Sequence, residues 1–156
     1  MKPVEYLKLQ AKNLFKDYKT QTSYIDEVDG HSYYRYDPTY FDIDNIFLEF
    51  DWDEEDFSLM KAQHLIALIV GFEKWTDLLK ASDAELELAK LLFDNQDKIH
   101  LEDWRMYIAD TEVMNQRTFD PESRLEIFKQ AFVDVEGHRS PFADYRLKRT
   151  REQTQK

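Results

Sequence analysis

Apolar positions recur most regularly between Ser58 and Lys80, in the stretch SLMKAQHLIALIVGFEKWTDLLK. Leu59, Leu65, Ile66, Ile69, Val70, Phe72, Trp75, Leu78 and Leu79 fall three and four apart, the spacing that lines one face of a helix. Gly71 interrupts that run. A glycine there can take the left-handed conformation that ends a helix, and Phe72 just beyond can fold back onto the last turn. A second short helix then starts near Thr76, held at an angle by Trp75. The pattern assigns Gly71, Phe72 and Trp75 to architecture.

Residues Val4 to Tyr18 place Leu7, Ala11, Leu14, Phe15 and Tyr18 on one face, with Lys8, Lys12 and Lys16 around the others. A helix this short is marginal alone in water, so its apolar stripe is expected against the Ser58–Val70 helix. Farther on, Ser82 and Glu85 have the spacing of a capping box and open a helix to about Asp94, where Asn95 can end it. Leu86, Ala89, Leu92 and Phe93 should face inward. A helix from His100 to about Met114 carries Leu101, Trp104, Tyr107 and Ile108 on its face. Asp120-Pro121 starts the last one, packing Leu125, Phe128 and Phe132 before Gly137 stops it.

Residues 20–57 are the least regular. Ser32 to Tyr36 is strand-like after the Asp29-Gly30 turn signal, and Thr22 to Val28 can be its hairpin partner. Asp37 followed by Pro38 offers a helix cap and first helical residue, with Tyr40, Phe41, Ile43, Ile46, Phe47 and Phe50 as inward residues. Tyr40 to Asp44 also alternates, so the same letters permit a strand. The segment closes on Asp51-Trp52-Asp53-Glu54-Glu55-Asp56, too charged to bury and placed to favour the positive end of the next helix.

Charge sharpens this division. The chain has 156 residues and a net charge of -11, unevenly spread. Residues 20–58 hold twelve acidic residues against Arg35 alone, whereas residues 138–156 hold six basic residues against two acidic ones. An acidic body repels phosphate backbones, so nucleic acid is disfavoured except at the tail. The size suits one domain, 1–137, with 20–57 as an acidic aromatic insertion and 138–156 as a basic, flexible tail. Cysteine is absent, which excludes disulfides and thiolate chemistry and fits a reducing compartment. The start MKPVEYLKLQ lacks the apolar core of a secretory signal, and no apolar run approaches the roughly 20 residues of a membrane span. A cytoplasmic protein without a membrane partner is expected.

Candidate chemistry is sparse. Asp51, Asp53 and Glu55 alternate as hard-cation ligands can, but the pattern lacks the glycine and terminal glutamate of an EF-hand loop, and a solvated, helix-capping acidic face explains it better, with partner recognition as the remaining reading. His31, His64, His100 and His138 share no metal-ligand spacing. Three glycines spread along the chain form no phosphate loop, and no serine sits in a nucleophile elbow. No catalytic residue, cofactor or metal site is therefore assigned. Tyr33, Tyr34, Tyr36, Tyr40, Phe41 and Trp52 can fill space above the helices or anchor a partner. Arg146, Lys148, Arg149 and Arg151, interleaved with Phe142 and Tyr145, can contact nucleic acid or return to the acidic segment.

Two pieces resemble a helical module of bacterial proteins, found near the N-terminus of some ankyrin-repeat and glyoxalase-related proteins. They match at Leu7, Gln10, Ala11, Lys12 and Leu14, then at Ala62, Gln63, Ala67, Gly71, Phe72, Trp75 and Leu78. The resemblance covers about a third of the chain and implies a fold element, with no catalytic residues to carry over. The long acidic insertion between the pieces departs from it, as does the lack of glyoxalase metal ligands or a repeat array.

The sequence thus predicts a mainly α bundle of five or six helices with a small irregular or β-hairpin insertion. Its expected function is non-enzymatic binding of a protein partner through Tyr33, Tyr34, Tyr36, Asp42, Asp44, Asp51, Trp52, Asp53, Glu54 and Glu55. The alternatives are a regulator touching nucleic acid by its tail or mimicking its phosphates, and a metal-dependent hydrolase built on the acidic cluster.

Overall fold

The computed structural model describes residues 1–142 and 144–147. The protein is mainly α-helical, with one small hairpin. In chain order it runs α1 (Pro3–Tyr18), β1 (Thr22–Ile25), β2 (Ser32–Arg35), α2 (Ile43–Phe50), α3 (Leu59–Ile69), α4 (Trp75–Lys80), α5 (Asp83–Asp94), α6 (Leu101–Asn115) and α7 (Pro121–Phe128). A π-turn, Lys129–Val133, extends α7. Among the described residues there are seven α-helices, more than the five or six expected, because the acidic insertion holds α2.

Helix α1 lies along α3, and the stripe Leu7, Ala11 and Leu14 is fully buried with Ala62, Leu65, Ile66 and Ala67. Phe41, Ile43, Ile46, Phe47, Leu78 and Phe93 complete this first core. A second core gathers Leu92, Ile99, Trp104, Ile108, Phe128 and Phe132. Helix α5 serves both, since Ala89 and Phe93 face one core while Leu92 faces the other.

Local chemistry sets the helix ends. The capping box of Ser82 and Glu85 is complete, and Asp120 caps α7 by accepting from Ser123 N–H at 2.8 Å. At the end of α3, Gly71 adopts φ +100°. Its N–H reaches Leu68 O at 3.3 Å and Phe72 N–H reaches Ala67 O at 2.8 Å, the paired bonds of a Schellman motif. Phe72 and Trp75 are half-buried against the first core, which directs α4 away from α3.

Two expectations about irregular segments are corrected. Helix α2 starts at Ile43 with Asp42 as its cap, not at Asp37-Pro38. The amides of Thr39, Tyr40 and Phe41 instead bind the Asp17 carboxylate at 2.9, 2.7 and 2.8 Å, and Phe41 makes a bridge to Arg146. The second correction follows from that bridge: residues 144–147 pack into the body and are no loose tail. Tyr145 is only 7% exposed, its N–H donates to Gln96 Oε1 at 3.1 Å, and its carbonyl accepts from Asp42 N–H at 2.9 Å. Residues Lys148, Arg149 and Arg151, with the rest of the expected basic tail, lie outside the described residues.

Candidate functional site

The acidic loop after α2 is built from the hairpin side. Tyr34 donates its hydroxyl to Glu55 Oε1 at 2.7 Å, and Tyr36 donates to Glu54 Oε1 at 2.7 Å. Tyr18 Oη and Gln21 Nε2 both donate to the Glu54 carbonyl, at 2.7 and 3.0 Å. Hydrogen bonding to Glu55 raises the Tyr34 hydroxyl to about 12, while burial and then the Glu54 bond push Tyr36 well above the usual tyrosine value. Beneath the loop, Tyr18, Phe47 and Phe57 form a tight aromatic group with centroids 5.0–6.1 Å apart.

At the loop's start Asp51 caps α2 in the left-handed conformation, φ 49°. That turn sets Trp52 against Phe57 and stacks its indole on the His64 ring, with centroids 5.8 Å apart and planes within 9°. An open groove of about 830 Å³ runs between this corner, the outer face of α3 and the start of α4. Trp52, His64, Trp75 and Met60 give it apolar walls; Asp51, Asp53, Lys61 and Lys74 supply its charges. Lys61 is tied to Asp56 at 2.9 Å.

The residues singled out from sequence therefore separate. Asp51, Trp52 and Asp53 come together with Trp75 at the groove. Tyr34, Tyr36, Glu54 and Glu55 brace its acidic wall from behind. Asp42 is a helix cap, Asp44 lies exposed in the first turn of α2, and Tyr33 bonds Asp29 within the hairpin. Gly71 and Phe72 shape the α3–α4 turn. Sequence reasoning missed Met60 and Lys74 as groove residues; the available signal was Met60, Gln63 and His64 on the polar side of α3, at spacings of three and four.

A smaller cleft of about 230 Å³ carries Arg105 and Arg124 between α3, α5, α6 and α7. Both guanidiniums are already paired, with Glu102 at 2.8 Å and Glu112 at 2.9 Å. Arg146 is likewise held by Asp144 at 3.0 Å and Asp97 at 3.3 Å. Among the described residues no group of three or more histidine or acidic side chains is placed to hold a metal ion, and no helix is long and apolar enough to cross a membrane.

The chain matches no protein-family model, no curated protein and no solved structure.

Proposed function

We propose that this is a non-enzymatic interaction or adaptor protein of the bacterial cytoplasm that docks a protein partner at the acidic aromatic corner of residues 51–56. One observation carries the reading: an acidic loop, braced by tyrosine hydroxyls, delivers Trp52 to a groove it shares with Trp75. Half-buried indoles beside carboxylates give both contact area and charge preference, the combination found at interaction hot spots. The bacterial assignment rests on the resemblance of residues 7–14 and 62–78 to a bacterial helical module.

The test is quantitative affinity capture with the full chain and with the Asp51→Asn/Asp53→Asn variant, both carboxylates being exposed. The proposal expects a partner held by the native chain and lost from the variant. Identical captured sets from both proteins would refute docking at this corner.

A further inference from the structure

The acidic loop divides its carboxylates into two groups. Glu54 receives the Tyr36 hydroxyl, Glu55 receives the Tyr34 hydroxyl, and Asp56 is paired with Lys61. Among the described residues Asp51 has no side-chain hydrogen bond or ion pair, and Asp53 accepts only the Glu55 N–H at 2.9 Å. These two flank Trp52 and line the groove.

We propose that the groove seats an arginine side chain from a basic, partly apolar segment of the partner. The proposal rests on the interaction reading above and names what that partner presents. A guanidinium is planar, binds carboxylates through a fixed fork of donors and stacks on indole faces, so Asp51 and Asp53 meet its charge and the Trp75 indole its plane, while Trp52, stacked on His64, closes the wall beside them. A lysine ammonium could use the charge and a cation–π contact but could neither fork onto a carboxylate nor lie flat on the indole. Lys74 and His64 also line the groove, and Lys61 is already neutralised by Asp56. Lys74 therefore restricts the site to one cation and favours an apolar neighbour, for which Met60, 77% exposed, offers a flexible contact.

The probes are an eight-residue peptide with a single arginine between leucines and its citrulline counterpart, in which a neutral urea replaces the guanidinium. Binding to the full chain is measured by calorimetry and tryptophan fluorescence. The arginine peptide should bind at least about tenfold tighter than the citrulline one, the scale expected of a charge-assisted pair. Asp51→Asn/Asp53→Asn should erase that difference, and Trp52→Leu should weaken both peptides. Because Trp52 also packs on Phe57, the two-aspartate variant carries the test if Trp52→Leu fails to fold.

Equal affinity for the two peptides would overturn the arginine assignment while leaving partner docking in place. Binding of neither peptide, with partner capture still dependent on Asp51 and Asp53, would overturn it too. A dimer of the native chain that dissociates in the two-aspartate variant would assign the groove to a second copy. Loss of aspartate-dependent capture is the separate outcome that removes the interaction reading itself.

Discussion

Tyr34 and Glu55 meet at 2.7 Å and join the hairpin to the acidic loop. The hydroxyl is the donor, so the contact exists only while Tyr34 is protonated. Its folded pKa, about 12, lies above the usual 10, so the stabilisation is complete below about pH 10 and disappears as pH rises through about 12. Spectrophotometric titration should reveal late-ionising tyrosines, and Tyr34→Phe should delete one of them and loosen the loop in hydrogen exchange. If the variant instead loses a tyrosine that ionises in the ordinary range, with every late-ionising one retained, the bond does not form in solution.

Asp17 predicts a larger effect from a residue that does not line the groove. It is 2% exposed, and its two oxygens take the amides of Thr39, Tyr40 and Phe41. Asp17→Ala strands three amide donors, that of Phe41 buried, and should cost about 3 kcal/mol, read from the denaturant midpoint at constant slope. A loss below about 1 kcal/mol would mean that water replaces the carboxylate.

Gly71→Ala combines two penalties. The position holds φ +100°, and a Cβ would approach Leu101 Cδ1 to 3.2 Å. A destabilisation of about 1–2 kcal/mol is expected from backbone strain, with the shift forced on the Leu101 side chain adding to it. Wild-type stability in thermal and denaturant melts would contradict the observed turn geometry.

Tyr145 tests whether residues 144–147 belong to the body. Its ring joins the first core, and its hydroxyl donates to Glu49 at 2.8 Å. Tyr145→Ala should cost about 3 kcal/mol, as large-to-small aromatic changes in cores do. A side chain on a frayed tail would cost nothing measurable.

Local signals in the sequence reach most of the helices but not the joints between them. The 3.6-residue stripes of α1 and α3, the Ser82–Glu85 box and the Gly71 stop are properties of a few neighbouring residues, and each forms as read. The hairpin formed for the same reason, around Asp29-Gly30. Asp37-Pro38 misled because the competing partner, Asp17, lies some twenty residues away and captures the following amides. Tyr145 misled because one buried aromatic without periodic neighbours looks like tail. At the groove, Trp52 and the aspartates were visible as composition. Their union with His64, Met60 and Lys74 depended on the fold bringing residues 51–53, 60–64 and 74–76 into one wall.

The central claim, that a partner docks on this wall, is tested most directly by hydrogen–deuterium exchange on the protein with and without its captured partner. Docking at the groove predicts new protection in all three segments, 51–53, 60–64 and 74–76, with none at the Tyr33 face of the hairpin. Protection confined to the hairpin or to α6, with those segments unchanged, would contradict it.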